Sequence, residues 1–433
     1  MQLRTSDLAT ALGGRIEGPD TIVDGASHDS RTVGAGQLFV PIAAARDGHD
    51  FIAAALANGA SAYLTSGPIA GATAIVVGDT LVALQAAGRL ARTRLPERVV
   101  GVTGSVGKTS VKDLLAAVLS ASMTTAASER SFNNEMGVPL TLLNAPDGTE
   151  AVVVEMGARG VGHIAELCAI AAPTVGIVTC VAAVHTEAFG TLEDVARAKG
   201  ELVEALPADG TAILNAADSA VAAMASRTQA QVLTFGEGGE MRAEDVVVAD
   251  DLCARFTLRT PWGDGPVALS VRGRHQVENA LAAAAAALAC GVDLAGVSAG
   301  LAGAALSPWR MDLATAPSGA RILNDAYNAN PTSMAAALES LAALPATRRT
   351  AVVGLMAELG EREASDHAAI GEQARALGVR LIAVAAPAYG GEDVASMDEA
   401  LALLGPLDGG DAILVKGSRV AGLEVLATTL LEG

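Results

Sequence analysis

The sequence predicts an α/β protein of three domains in series, the middle one a phosphate-gripping P-loop domain with a mainly parallel sheet. Three observations predict it. Strand-like and helix-like segments alternate along the whole chain, which at 433 residues is too long for one ordinary core. The stretch VVGVTGSVGKTS, Val99 to Ser110, runs from a β-branched strand through glycines into an apolar helical pattern, Val111 to Leu119. Ala151–Glu155 and Val175–Val181 are continuous apolar runs, as in strands buried on both faces of a parallel sheet.

The central stretch is the most specific. Glycines let backbone amides approach phosphate oxygens, a helix N-terminus favours their charge, and a lysine neutralises it. A following threonine can ligate Mg2+. Gly104, Ser105, Gly107, Lys108, Thr109 and Ser110 are therefore the candidate nucleotide-binding residues. The strict pattern asks for glycine where Val102 stands, with Gly101 and Gly104 on either side, so the loop is a variant. Gly-Lys-Thr alone often arises by chance; the strand before it and the helix after it make nucleotide binding the better reading.

In chain order, residues 1–97 form the first domain. MQLRTSDLATALGG reads as a short capped helix, Asp50–Asn58 and Thr80–Leu95 as helices, Ala60–Leu64 and Ala74–Val77 as strands, and ARTRLPER, ending at Arg98, as a hinge. Residues 98–308 form the second, with a helix over Ile164–Ile170, a capping box at Thr191–Asp194 opening a helix to Leu206, and strands at Ala212–Leu214 and Gln231–Thr234. Residues 244–272 have antiparallel, period-two character, and His275–Cys290 is an alanine-rich helix. Residues 309–433 form the third, with strands at Arg321–Asp325, Thr350–Gly354, Leu381–Ala385 and Ala412–Val415, and Thr332-Ser333 capping a helix.

Composition narrows the function. Hydrophobic residues make up 51% and aromatics 3%, so the cores are aliphatic. A net charge of -19 argues against nucleic acid or an anionic membrane as partner, but not against a local phosphate site. Cys168, Cys180, Cys253 and Cys290 show no CxxC spacing and are expected as free thiols in a reducing compartment. The N-terminus lacks a signal peptide's apolar core, and Pro173 divides the uncharged run Leu167–Val184, so no membrane insertion and a cytoplasmic location are expected.

Several polar residues stand at strand ends, where open α/β sheets bind ligands. Glu155 ends a buried strand one crossover after the P-loop and suits a Mg2+ ligand, although a glutamate there could equally cap a helix. His185 closes the next strand; a lone histidine is more often structural, but the edge shared with Lys108 and Glu155 favours a functional role. Lys199, in ARAKGELVEAL, has apolar neighbours, and a buried lysine loses its charge readily. A neutral amine could carry CO2 as a carbamate. LNDAYNANPTSM crowds Asp325, Tyr327, Asn328 and Asn330 at a strand end. His275 and Asn279 lie four apart on one helical face, able to meet a base edge or simply to anchor the helix.

TGSVGKTS, NNEMGVPLTLL, VVEMGARG, VHTEAFGTLEDVARAKGEL, GRHQVENALAA, NDAYNANPTSM, MAELGE and VKGSR occur in that order. Together they resemble the Mur ligase family of ATP-dependent amide-bond-forming enzymes, across essentially the whole chain. YNANP and VKGSR are similar to the branch that joins D-alanyl-D-alanine to a UDP-muramoyl tripeptide. The resemblance implies an N-terminal domain that binds the uridine diphosphate end, with Ser30 and Arg31 in SHDSRT and Asp47 and His49 in RDGHDF. It implies a central domain for ATP and two Mg2+ ions, and a C-terminal Rossmann-like domain closing over both. Lys108 and Thr109 match phosphate and Mg2+ residues, Glu155 and His185 metal ligands, and Lys199 the carbamylated lysine; Lys108, Lys199 and His185 are thus the implied catalytic set. His275, Asn279, Arg310 and Asp325 match nucleotide contacts. Asn133, Asn134, Asn328 and Asn330 are the implied contacts to tripeptide and dipeptide. A monomer without nucleic-acid partner is expected.

The chain departs from the family pattern at Val106, where a polar residue is common, at Leu355, where an aspartate is expected, and at Trp309. A sibling ligase adding one amino acid, or glutamate to folate, is the nearest alternative. A nucleotide switch leaves Glu155, Lys199 and the Asp325 cluster without purpose. A nicotinamide dehydrogenase fails because the glycine loop carries Lys-Thr rather than GxGxxG.

Overall fold

The computed structural model describes residues 1–432 apart from Ala70, Ser131 and residues 183–189. A six-stranded, wholly parallel sheet lies at the centre, in the order Gln231–Phe235, Thr211–Asn215, Val175–Val178, Val99–Thr103, Ala151–Glu155, Thr125–Ala127. Its inner strands are buried along their whole length because helices cover both faces, which explains their unbroken apolar sequence. The P-loop strand sits between Ala151–Glu155 and Val175–Val178, so Glu155 pairs in register with Val102 and the loops beyond share one edge.

On one face, the P-loop helix Lys108–Ser120 packs against the alanine-rich helix Gln276–Ala289, whose residues from Ala280 to Ala287 are all buried. Small side chains let the two helices approach. The far side of the alanine helix is roofed by an antiparallel three-stranded sheet, Arg242–Val248, Cys253–Thr260 and Gly263–Arg272, through Phe256, Leu258, Val267 and Leu269.

Residues 15–76 supply a five-stranded sheet, in which Arg15–Glu17 is the antiparallel edge. Its helix Thr80–Arg92 does not lead into a loose hinge. Leu84 and Ala87 join Val138, Leu142 and Ile170 in one core, and Arg92 donates to the carbonyls of Ala171 (2.7 Å) and Pro96 (3.1 Å). The segment ARTRLPER, expected as a hinge, is thus tied down at its start by half-buried arginine bonds and a shared core. The N-terminal helix is also shorter than read: Gln2–Arg4 is a strand, and Thr5–Ala11 is capped by Asp20, which accepts from the Ser6 amide at 3.0 Å.

The C-terminal sheet runs Asp312–Thr315, Arg321–Asn324, Asp411–Lys416, Arg348–Val353, Arg380–Val384, Glu392–Val394, parallel except for its first strand. Its first helix, Pro331–Ala343, is capped by Asn330 and Ser333 reciprocally, with Pro331 at the first turn, rather than by Thr332-Ser333. All four cysteines are unbridged, and among the described residues no helix is long and apolar enough to cross a membrane.

Candidate functional site

The carboxyl edge of the central sheet faces the carboxyl edge of the C-terminal sheet across a cavity of about 720 Å³. The P-loop forms its floor. Gly104 and Gly107 have φ of 148° and 87°, conformations that side chains rarely adopt. A Cβ on Gly104 would lie 1.8 Å from Thr179 Oγ1, and one on Gly107 would lie 2.5 Å from Asn279 Oδ1. The loop is therefore sealed by neighbours as well as by its own backbone. Val106 takes part through its main chain: Thr179 donates to its carbonyl at 2.5 Å, and its amide meets Cys180 Sγ at 3.4 Å. Ser105 is fixed by Ala182, whose amide donates to Ser105 Oγ at 2.9 Å.

Lys108 Nζ turns back on the loop and donates to Gly104 O at 2.7 Å. Burial lowers its pKa, partly opposed by Glu155 and Cys180. Glu155 is 1% exposed; Oε1 accepts from Asn133 Nδ2 at 2.8 Å, while Oε2 is buried without a partner among the described residues. An unpartnered buried carboxylate oxygen is costly unless something cationic meets it. Lys199, on the helix Leu192–Glu204, is 4% exposed, and burial, reinforced by Lys108, pushes its pKa down to about 7. Burial thus favours the neutral amine here far more than at a surface lysine.

From the opposite wall, Arg310 stacks on Tyr327, 4.2 Å from the ring centroid, and donates from Nη2 to Thr109 Oγ1 at 3.0 Å. Its Nε is buried without a partner among the described residues. Asp325 accepts from the Met311 amide at 3.1 Å and from Lys416 Nζ at 2.5 Å; Lys416, 2% exposed, also donates to Asn328 O at 2.9 Å. His275 opens the alanine helix with Nδ1 buried and, among the described residues, unpartnered, its pKa lowered by burial against the pull of Asp325.

The cavity thus gathers Ser105, Gly107, Lys108, Thr109, Ser110, Asn133, Glu155, His275, Asn279, Arg310, Asp325, Asn328 and Asn330. Gly104 shapes the loop behind it. Asn134 lies off the cavity and spends Oδ1 on the amides of Met136 and Gly137, opening the helix Gly137–Leu143. Asn330 faces the cavity while capping its own helix. His185 lies outside the described residues, and among those residues no group of three or more His, Cys, Asp and Glu could hold a metal.

The N-terminal candidates form a separate group. Arg31 is bound by Asp29 at 2.6 Å, which holds that carboxyl at about 2. His49 Nδ1 meets Asp47 at 2.6 Å and its Nε2 accepts from the Ser66 amide at 3.2 Å. Asn58 donates to the Ser30 carbonyl at 2.8 Å. His28 of SHDSRT packs edge-on against Phe132, ring centroids 5.8 Å apart, beside Asn133. That contact links the group to the cavity wall.

Residue reading missed Thr179, Cys180, Arg159, Glu278, Glu358, Lys416, Ser418 and Arg419, all of which line the cavity. VKGSR and MAELGE already marked four of these; Thr179 and Cys180 carried the signal of ending a strand beside the P-loop.

Known proteins share this architecture. Residues 102–287 match the Mur ligase middle domain, and residues 309–419 match the Mur ligase glutamate ligase domain. The UDP-N-acetylmuramoyl-tripeptide–D-alanyl-D-alanine ligase of Mycobacterium tuberculosis is 39% identical over 100% of this chain and 98% of its own. MurF from Acinetobacter baumannii superposes with a TM-score of 0.91 at 30% identity, covering 100% of this chain and 99% of that one. MurF ligase from Thermotoga maritima, solved in complex with ADP, gives a TM-score of 0.81 at 29% identity, covering 94% and 97%. With both domain matches falling on the two walls of the cavity and a relative alike over its full length, the chain belongs to the Mur ligase family.

Proposed function

We infer that the chain is an ATP-dependent carboxylate–amine ligase that joins D-alanyl-D-alanine to UDP-N-acetylmuramoyl-tripeptide in peptidoglycan synthesis. The observation that carries this is the full-length similarity to ligases of that name, over a cavity that joins a P-loop to NDAYNANP.

In this reading the P-loop amides and Lys108 hold the ATP phosphates, Lys108 exchanging its carbonyl partners for phosphate oxygens. The tripeptide carboxylate attacks the γ-phosphorus and the bond to the ADP oxygen breaks, giving an acyl phosphate. The dipeptide ammonium first loses one proton; the free amine nitrogen then attacks the acyl carbon, the carbon–oxygen bond to phosphate breaks, and the nitrogen sheds a second proton and keeps the third as the amide hydrogen. A carboxylate is a poor electrophile, so phosphorylation supplies the leaving group; the protein contributes position and charge. Arg310 and Asn279 border the nucleotide, and Asn328 the dipeptide. Ser30, Arg31, Asp47 and His49 take the uridine diphosphate end.

The donor set suits Mg2+. Thr109 Oγ1, the orphaned Glu155 Oε2 and His185 would hold it, with Lys199 as a carbamate. Bound there, the metal would neutralise and orient the transferring phosphoryl group. A Lys199 near neutrality supports that modification, because only the free amine adds CO2, losing one proton as the N–C bond forms. Substrates of this kind place the enzyme in the cytoplasm.

Phosphate release with ATP, Mg2+, the UDP-sugar tripeptide and D-Ala-D-Ala tests the reading. Folded protein that releases none above background, or prefers a single amino acid to the dipeptide, overturns it.

A further inference from the structure

We propose that Arg159 binds a carboxylate on the peptide arm of the sugar-linked substrate, one other than the terminal carboxylate that is phosphorylated. The inference rests on the ligase reading and adds to it a residue that selects the tripeptide.

Arg159 stands in the loop between the strand that ends at Glu155 and the helix His163–Ala171. The main chain of that loop is fixed along its length. The Met156 amide donates to Val102 O at 2.8 Å and the Gly157 amide to Asn133 O at 2.7 Å. The Arg159 amide donates to His163 Nδ1 at 3.3 Å. Glu201, buried on the helix that carries Lys199, accepts from the Gly162 and Ala165 amides at 2.5 and 2.9 Å. On this fixed backbone the Arg159 side chain is exposed, lines the cavity and, among the described residues, meets no acid, carbonyl or ring. The other lysines and arginines of the cavity are engaged. Lys108 lies on a carbonyl of its own loop, Arg310 reaches Thr109, Lys416 holds Asp325 and Arg419 binds Glu424. A guanidinium grips a carboxylate with two parallel hydrogen bonds, so a free one presented by a rigid loop suits an anionic ligand.

Position decides which anion. The P-loop strand lies between the Glu155 strand on one side and Val175–Val178 on the other. Asn215 and Phe235 end the two strands beyond Val175–Val178 and line the cavity there, under the alanine helix that carries Asn279 to the nucleotide. Arg159 lies on the opposite side of the P-loop, beside Asn133, where Phe132 meets His28 of the N-terminal domain. The dipeptide belongs to the facing wall, with Asn328. The substrate that passes Arg159 is therefore the one that enters from the N-terminal domain, the tripeptide. Its terminal carboxylate goes to the γ-phosphorus above the P-loop, which leaves its other carboxylates for Arg159. A tripeptide of the alanyl-D-glutamyl-2,6-diaminopimelate kind has two, one on the second residue and one on the side chain of the third.

The test pairs changes in enzyme and substrate. In Arg159→Gln, the KM for the full tripeptide should rise about tenfold, the loss of one charge-assisted contact, while those for ATP and D-Ala-D-Ala stay within about twofold. Arg159→Lys should recover part of the tripeptide KM, keeping the charge without the fork. Two trimmed substrates identify the carboxylate: the tripeptide with its glutamyl carboxylate as the amide, and the tripeptide with lysine as its third residue. On the one that lacks the bound carboxylate, wild type should already show a KM raised about tenfold, and Arg159→Gln should add less than about twofold. Loss of the Arg159→Gln effect on either trimmed substrate supports the inference and names the carboxylate. An unchanged tripeptide KM in Arg159→Gln, an equal rise for ATP or the dipeptide, or an effect that persists on both trimmed substrates overturns it. Wild-type protein that releases no phosphate with any tripeptide overturns the ligase reading itself, and the inference with it.

Discussion

The two sheets that face each other across the cavity handle polar groups in opposite ways. On the central side, groups are left unanswered: among the described residues Glu155 Oε2 has no partner, Lys108 makes do with carbonyls of its own loop, and Lys199, behind the cavity lining, is stripped of water. On the C-terminal side they answer each other. Lys416 binds Asp325 and Asn328, Ser418 binds the Ala357 amide and Ala329 carbonyl, and His367 binds the Met356 amide. The first wall is an unsatisfied electrostatic receptacle; the second is largely a frame whose groups answer one another, Arg310 Nε excepted. Removing a group from the first should therefore harm chemistry, and from the second, stability.

The largest effect should break the receptacle. Lys108→Met is expected to lower turnover about thousandfold while leaving the melting temperature unchanged or raised, since it removes a buried charge. Steady-state rates and a thermal melt on the same sample check it. On the frame, Lys416→Met should cost about 2 kcal/mol of stability, because the half-buried Asp325 is left without its cation. Denaturant unfolding reads it, and Asp325→Asn in the same chain should recover part of the loss.

Lys199 sharpens the contrast through pH. Its folded pKa of about 7 lies below the usual 10.5, so the unfolded chain binds the extra proton between them. Its cost to stability is absent above the upper value, grows as pH falls through that window, and is constant below about 7. In CO2-free buffer, Lys199→Met should gain on wild type by a few kcal/mol at pH 7 and by little at pH 10.5, measured by urea titration. The same variant should lose turnover, with no rescue by bicarbonate. The smallest effect belongs to the frame: Asn330→Ala removes the cap of Pro331–Ala343 and should cost about 1 kcal/mol.

Legibility in the sequence followed the same division. The P-loop is local, strand, turn and helix within Val99–Ser120, so its residues announce themselves in order. Glu155 and the strand Ala151–Glu155 were likewise readable from an apolar run ending in a carboxylate. The frame is built from partners far apart: Lys416 and Asp325 are 91 positions apart, Arg310 and Thr109 201. No periodicity reports such pairs: Asp325 stood out as a polar residue at a strand end, but its partner did not, and Arg310 came to notice only through the family resemblance. The N-terminal cap failed for the same reason, because Asp20 reaches Ser6 across 14 positions. Val106 looked like a flaw because a side chain was expected where the loop uses a main chain.

The scarcity of aromatics leaves the molecule with its own optical gauge. It has two tryptophans. Trp262 sits 58% exposed on the hairpin between Cys253–Thr260 and Gly263–Arg272, remote from the cavity lining. Trp309 lies under the Arg419 guanidinium, 4.5 Å from its ring centroid, one residue before the arginine that crosses to Thr109. With Trp262 replaced by phenylalanine, the emission of a single indole reports on the junction between the two walls. Any event that shifts Arg310 or Arg419 is then visible as a change of colour, with no label attached.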